Sequence, residues 1–187
     1  SELSRMDDLI LPPDVHEKVR AIPGLFRAGE AQTLIVRGAY RNGRRTIFSA
    51  IARELNLGLL EIKGITGPHD ERLRVAGPLA TALNALPVIV IDLEPRESIE
   101  IPRLSACDSP SGIVIGKQGG VSGEGAERAL VLSLDMPDPG MRKQHWQRAC
   151  HESKLRDPDT VSERFRITSG NIHRVARLAE SYAALAR

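Results

Sequence analysis

Gly38 and Gly43 bound a short loop that is the first candidate for chemistry in this chain. An apolar run at 33–36, typical of a strand, precedes the loop, and a run with helical periodicity at 45–55 follows it. A strand, a glycine-bounded loop and a helix make up the pattern G-x-x-x-x-G-K-[ST], whose backbone amides bind phosphate. Both glycines have the spacing of that pattern, and Asn42 lies between them. The loop is therefore predicted as a phosphate-binding site.

The side chains that follow the second glycine depart from the pattern. Arg44 stands at the lysine position, Arg45 stands at the Ser/Thr position, and Thr46 comes one residue late. Arg44 still supplies charge, but its planar guanidinium cannot replace a compact ammonium without rearrangement. Arg45 cannot ligate Mg²⁺, and Thr46 is rotated by ~100° about the helix axis. An ordinary strand–turn–helix corner that contains two glycines remains an equal alternative for the loop alone.

A second candidate is the acid at the end of the apolar run 88–91. In phosphate-loop proteins a strand of this kind places a carboxylate, here Asp92, where it holds Mg²⁺ beside the loop. Leu93 stands where a catalytic glutamate commonly follows, and Glu94 comes one residue later. Side chains alternate along a strand, so Glu94 shares the side of Asp92 only if the strand continues, which Pro95 disfavours. A solvated acid at a strand end is the alternative for Asp92.

The elements that must position these residues alternate along the chain. Continuous apolar runs at 87–91 and 112–116 are typical of strands buried on both faces of a parallel sheet. Helical periodicity separates the strands, which predicts a three-layer α/β/α sandwich with a mostly parallel sheet. The remaining patterns predict strands at 59–62 and 129–134, a short edge strand at 98–101, a loop at 119–125, a helix at 14–22 stopped by Pro23 and Gly24, and a helix at 70–86 kinked or divided at Gly77 and Pro78.

The composition changes near residue 137, where helical patterns replace the alternation of strands and helices. The helix predicted to begin at Ser169 or Gly170 places Ile172, Val175, Ala176 and Tyr182 on its inner face. An S/T-x-x-E pattern at 160–163 predicts the start of a short helix before it. The predicted division is therefore an α/β subdomain at 1–136 and a small helical subdomain at 137–187.

Composition excludes several classes of protein. The chain has 187 residues, 41% hydrophobic and 27% charged, with a net charge of +2, which is ordinary for a soluble globular protein. Its two cysteines form no C-x-x-C pair, so neither a disulfide framework nor a zinc site is expected. It shows neither a signal peptide nor an apolar run of membrane-spanning length. We expect a soluble, cytoplasmic protein without a membrane partner.

The chain resembles an AAA+ ATPase module over nearly its full length. The resemblance rests on segments in the order typical of that family, namely 7–12, 38–46, 88–92, 113–118, 134–142 and 165–172. It implies a P-loop fold with a C-terminal helical lid, and ATP or ADP with Mg²⁺ as the cofactor if any is bound. The nucleotide-binding residues it implies are Gly38, Asn42, Gly43, Arg44, Arg45, Thr46 and Asp92, with Asp92 also the metal ligand.

The resemblance also implies catalytic positions away from the loop. Glu94 would polarise water, Gln118 would serve as sensor 1, and His173 or Arg174 would serve as sensor 2. Arg128, before the last strand, would be the arginine finger. The family's lysine, magnesium-binding hydroxyl and catalytic glutamate are nevertheless absent from their positions. The segment after Asp92 is also shorter than usual and broken by prolines where the family has a helix.

Three hypotheses for function follow, in order of preference. The first is a degenerate AAA+ module with weak or no ATP hydrolysis, a structural or regulatory partner of other AAA+ domains, subunits or another domain of the same polypeptide. The second is a functional AAA+ ATPase that uses Arg44, Asp92 and Glu94 from shifted positions. The third is a nucleic-acid-binding module, and aromatic residues at only 3% of the chain make it the least expected. Its phosphate contacts would be Arg37, Arg41, Arg44 and Arg45.

Overall fold

The computed structural model describes residues 3–150 and 157–185. Within these ranges there are seven strands, β1 (Thr33–Gly38), β2 (Gly58–Lys63), β3 (Ala85–Val90), β4 (Ser98–Glu100), β5 (Ser111–Ile115), β6 (Gly120–Ser122) and β7 (Leu130–Leu134). The helices are a short 3-10 helix (Met6–Asp8), α1 (Pro13–Arg27), α2 (Arg44–Glu54), α3 (Glu71–Ala82), α4 (Pro139–Ala149), α5 (Pro158–Arg164) and α6 (Ser169–Leu185). None of the helices described is both long and apolar enough to cross a membrane.

Five strands form one parallel sheet in the order β2-β3-β5-β1-β7. Strand β1 lies between β5, the central strand, and β7, in a register that places Val36 beside Val114 and Leu132. Alternate residues of β1 face opposite sides, with Val36 in one apolar cluster and Ile35 in the other. The two clusters are covered mainly by α1 and α2 on one face, and by α3 and the β4–β6 pair on the other. The predicted α/β/α class is confirmed.

Helix α2 is seated directly on the sheet. Phe48 is fully buried, and a Cβ atom added to Gly112 of β5 would lie 2.3 Å from its ring. The absence of a side chain at Gly112 therefore lets the aromatic ring lie against the strand backbone. Since α2 begins immediately after the glycine loop, this contact holds the loop at the carboxyl edge of the sheet.

Three local predictions were wrong. Helix α1 runs through Pro23 to Arg27, because its buried face extends from Val19 to Phe26 and favours continuation despite the proline. Helix α3 is continuous through Gly77 and Pro78, so the division predicted as one alternative is wrong, and the kink predicted as the other stays a prediction. The predicted loop 119–125 contains β6, which pairs in parallel with β4. The edge strand predicted at 98–101 is confirmed as β4.

Helices α4, α5 and α6 pack together as a unit, for which we use the label helical lid, while the role of a lid stays a prediction. Its apolar centre consists of Trp146, Ile172 and Ala176, separate from the clusters on the sheet. Arg142 is buried at the start of the lid, where its guanidinium donates to the Ser162 carbonyl at 2.7 Å and to the Pro137 carbonyl at 2.5 Å. This separate centre agrees with the proposed division at residue 137, which remains a prediction.

Two details of the lid differ from the sequence analysis. The short helix α5 is capped by Asp157, whose carboxylate accepts from the backbone N–H of Thr160. Helix α6 begins at Ser169 as predicted, but Val175 is 46% exposed and Tyr182 is 70% exposed. The predicted inner face is too broad, because within the described residues the main helix packed against α6 is α4.

Candidate functional site

The glycine loop has the backbone course of a phosphate-binding loop. Gly38 is packed so closely that a Cβ atom there would lie 3.1 Å from the Leu134 carbonyl oxygen. Gly43 has φ of +77° and Arg41 has φ of +60°, so the chain turns through left-handed conformations just before α2. No side chain caps the start of α2. The N-terminal end of that helix therefore keeps the partial positive charge that favours an anion.

Arg44 does not reach out of the loop as a phosphate-binding lysine would. Its side chain is 6% exposed, and its guanidinium Nη1 donates to the carbonyl of Ile115, at the carboxyl end of β5, at 2.5 Å. Burial lowers the pKa of Arg44, while the nearby charges of Asp92 and Tyr40 act in the opposite direction. The side chain at the lysine position thus joins α2 to β5.

Asn42 joins the loop to the end of β7, the second neighbour of β1 in the sheet. Its side chain is 7% exposed, and Nδ2 donates to the carbonyl of Asp135 at 2.7 Å, just beyond β7. A second contact reaches the Leu134 carbonyl at 3.5 Å. The amide predicted to contact nucleotide is therefore engaged with the protein backbone.

Arg45 and Thr46 lie on the first turn of α2, outside the mouth of the loop. The Arg45 guanidinium forms a bidentate ion pair with Glu61 of β2, and Lys63 lies 2.8 Å from the same carboxylate. Burial opposes ionisation of Glu61, but hydrogen bonds from Arg45 and Lys63 outweigh it and lower the pKa of the carboxyl group. Thr46 is exposed. Arg45 is thus directed towards β2.

The two acids after β3 lie beyond the end of the strand. Strand β3 ends at Val90, and Asp92 is exposed close enough to Arg44 for its charge to raise the arginine pKa. Glu94 instead begins a turn, in which its carbonyl accepts from the Glu97 backbone N–H at 3.1 Å. The strand does not continue, so Glu94 is not held beside Asp92 by strand geometry.

A metal site is not assembled in the described ranges. Among those residues, no three or more His, Cys, Asp or Glu side chains converge to hold an ion. Asp92 as a magnesium ligand stays a prediction.

Gln118 and Arg128 lie at opposite edges of the sheet. Gln118 is exposed in the turn after β5, on the same edge as the loop, and Arg37 fixes that turn by donating to the Gly119 carbonyl at 2.9 Å. Arg128 is exposed just before β7 and lines a cavity of about 580 Å³ together with Thr33 and Ser111, at the amino ends of β1 and β5. Arg128 therefore faces away from the loop of its own chain.

The start of α6 rests on the loop. The backbone N–H of Gly170 donates to the Arg41 carbonyl at 2.8 Å, and the hydroxyl of Ser169 lies 3.5 Å from the same oxygen. A Cβ atom on Gly170 would lie 2.8 Å from that oxygen, so the contact requires a residue without a side chain. The sequence analysis missed this contact, although the resemblance included the segment that makes it.

The two residues proposed as sensor 2 have different surroundings. His173 faces α4, with its Nε2 atom 3.4 Å from Nδ1 of His145. Arg174 is exposed on α6. Of the predicted residues, the structure thus brings together Gly38, Asn42, Gly43, Arg44 and Asp92, while Glu94, Arg128 and His173 are directed elsewhere.

Comparisons with known proteins give matches to solved structures alone. No protein-family model matches the chain, and neither does any curated protein sequence. The Thermotoga maritima RuvB Holliday junction branch migration motor matches 99% of this chain and 67% of its own, with 16% identity and a TM-score of 0.61. One single-substitution variant of that protein matches with a TM-score of 0.61 at 16% identity, covering 100% of this chain and 68% of its own. Another matches with a TM-score of 0.64 at 18% identity, covering 99% of this chain and 67% of its own. Over nearly its whole length, the chain has the AAA+ fold that its motifs predicted.

Proposed function

We propose that this chain is a degenerate AAA+ module that hydrolyses ATP weakly or not at all. It serves as a structural or regulatory part of a larger AAA+ assembly, whose other members are AAA+ domains or subunits. The observation that carries the proposal is the position of Arg44, buried and donating to the Ile115 carbonyl. A side chain held there does not offer its charge to a β- or γ-phosphate, as the lysine of a working loop does.

The rest of the loop supports the same conclusion. Asn42 is engaged with β7, Arg45 with Glu61, and the Arg41 carbonyl with Gly170. Each contact joins a group of the loop to another part of the protein. Binding of a triphosphate would have to compete with these contacts. The loop also lacks, at the usual position, the hydroxyl that ligates Mg²⁺ in a working site.

A comparison of nucleotide binding and turnover tests the proposal. Calorimetry with ATP and Mg²⁺ should give weak or no binding, and turnover should stay at background. Replacing Arg44→Lys and Arg45→Thr together restores the phosphate-loop pattern and should increase affinity for ATP. Arg74→Lys, at an exposed position of α3, is the matched control and should leave binding unchanged. Turnover above background that disappears in Asp92→Ala would contradict the proposal.

A functional ATPase is the second candidate, and one observation favours it. Asp92 is exposed beside the loop, and the start of α2 has no side-chain cap, so a carboxylate and a helix N-terminus face the same edge. In this case ATP or ADP with Mg²⁺ would be the cofactor, and Arg44 would have to leave the Ile115 carbonyl when nucleotide enters. The same turnover measurement distinguishes the two candidates.

The nucleic-acid alternative receives less support from the geometry. Of its four arginines, Arg44 is buried, Arg45 is paired with Glu61, and Arg37 donates to Gly119. Arg41 lies 5.3 Å from the centre of the exposed Tyr40 ring. A single arginine and tyrosine at the loop tip offer a small surface for a phosphate backbone.

A further inference from the structure

Two histidines meet across the helical lid, outside the glycine loop. His145 of α4 and His173 of α6 have ring centres 5.5 Å apart and ring planes at 85° to each other. The facing atoms, Nδ1 of His145 and Nε2 of His173, are 3.4 Å apart. One of these nitrogens must donate a proton and the other must accept it, so the contact requires a neutral acceptor ring.

The surroundings of the pair disfavour positive charge. Burial lowers the pKa of His145 to about 4, with His173 and Arg148 adding to the effect. Burial also lowers the pKa of His173, with contributions from Arg148 of α4 and Arg177 of α6. Within the described ranges, the charged groups that act on the pair are thus cations. Helix α5 also packs on α4, but its Asp159 pairs with Lys143 at 2.7 Å.

The pair is close in sequence to the contact between the lid and the loop. Helix α6 begins at Ser169, so His173 follows Gly170 by less than one helical turn. The Gly170 backbone N–H donates to the Arg41 carbonyl, and this bond fixes the start of α6 on the loop. A displacement of His173 from α4 would therefore move the group that donates to Arg41.

We propose that His145 and His173 form an acid-sensitive clamp that holds the start of α6 against α4 and thereby against the glycine loop. When both rings are protonated, the contact loses its acceptor and places two cations side by side near Arg148 and Arg177. The start of α6 then separates from α4, and the Gly170–Arg41 hydrogen bond weakens. This inference goes beyond the proposed function, because the clamp operates whether or not the loop binds nucleotide.

The direction of the pH dependence follows from the lowered pKa values. An unperturbed histidine has its pKa near 6.5, and the closed clamp lowers the pKa of His145 to about 4. The open form therefore binds more protons between these values. The clamp is closed above the ordinary histidine pKa and opens progressively as the pH falls towards 4.

Hydrogen exchange at the Gly170 amide tests the clamp in the full chain. The protection factor, corrected for the intrinsic exchange rate, should fall by roughly tenfold between about pH 7.5 and about pH 5. In the double variant His145→Gln, His173→Gln this fall should disappear. His69→Gln, at an exposed position, is the matched control and should behave as the unaltered chain. An equal fall in the double variant would overturn the proposal.

A second measurement keeps the proposal testable if the double variant does not fold. NMR titration of the unaltered chain should show both imidazoles protonating well below the ordinary histidine pKa of about 6.5. The single tryptophan, Trp146, lies in the apolar centre of the lid, so its fluorescence should change over the same pH interval. Titration of both rings near the ordinary pKa of about 6.5 would contradict the clamp.

Discussion

Arg44 in the loop region and Arg142 in the lid junction are both buried arginines that donate to backbone carbonyls. They differ in what the family resemblance leads one to expect. Arg142 matches the arginine that the AAA+ pattern has at the junction. Arg44, in contrast, replaces the lysine that would bind phosphate in that pattern. The comparison supports the proposed degenerate module, in which the side chain at the lysine position helps to hold the fold together, as Arg142 does at the junction.

The largest effect is expected from removing Arg142. Arg142→Met leaves the buried carbonyls of Ser162 and Pro137 without a donor, and should lower the free energy of unfolding by about 3 kcal/mol. Urea unfolding measures this change, with Arg74→Met on the surface of α3 as the control. A loss no greater than that of the control would show that Arg142 does not hold the junction.

A somewhat smaller effect is expected at the loop. Arg44→Met should lower the free energy of unfolding by about 2 kcal/mol, because one buried carbonyl, that of Ile115, loses a charged donor. In a working phosphate loop the same substitution would chiefly affect nucleotide binding. Unfolding followed with and without ATP separates the two cases. Unchanged stability in the absence of ATP, with weakened ATP binding, would make Arg44 a ligand-binding residue and break the comparison with Arg142.

A substitution at the contact between the lid and the loop should have a smaller effect on the free energy of unfolding. Gly170→Ala places a Cβ atom 2.8 Å from the Arg41 carbonyl oxygen. The start of α6 must move to relieve this overlap, at a cost of about 1 kcal/mol. Thermal unfolding measures the loss, and Gly24→Ala, where nothing lies within 4 Å of the added atom, is the control for a glycine in a helix. Equal effects of the two substitutions would exclude a tight contact at Gly170.

The smallest effect is expected from the surface pair of Arg45 and Glu61. Arg45→Ala should change the free energy of unfolding by less than about 1 kcal/mol, because half-exposed ion pairs are screened by solvent. The lowered pKa of Glu61 means that its contribution is present above the unfolded-state value of 4.5 and is lost as the pH falls through the lower folded value. Unfolding curves at several acidic pH values measure this loss. If Arg45→Ala leaves the pH dependence of the unfolding free energy unchanged, the ion pair is not the cause of that dependence.

The fold could be predicted because its signals are local and repeated. The buried strand β3 follows from a continuous β-branched run, although the sequence did not show that β5 lies between it and β1. The course of α1 could not be predicted from its proline, because packing of Phe26 and its neighbours outweighs a single missing hydrogen bond.

The site was less predictable than the fold. The partners of Arg44 and Asn42 are backbone carbonyls at the ends of β5 and β7, distant in sequence. Every residue carries a carbonyl, so no residue type marks these acceptors in a sequence. The composition of the loop therefore predicted a change in its chemistry, but it did not indicate which backbone carbonyls its side chains contact.

The packing of the Phe48 ring against the backbone of Gly112 restricts the movement of α2 along β5. Helix α2 cannot slide along β5 towards the carboxyl end of that strand without lifting the ring over the side chain of Val114, which lies on the same face of the sheet. A force on the glycine loop is thus transmitted to the central strands as if the loop, helix and sheet were one stiff body.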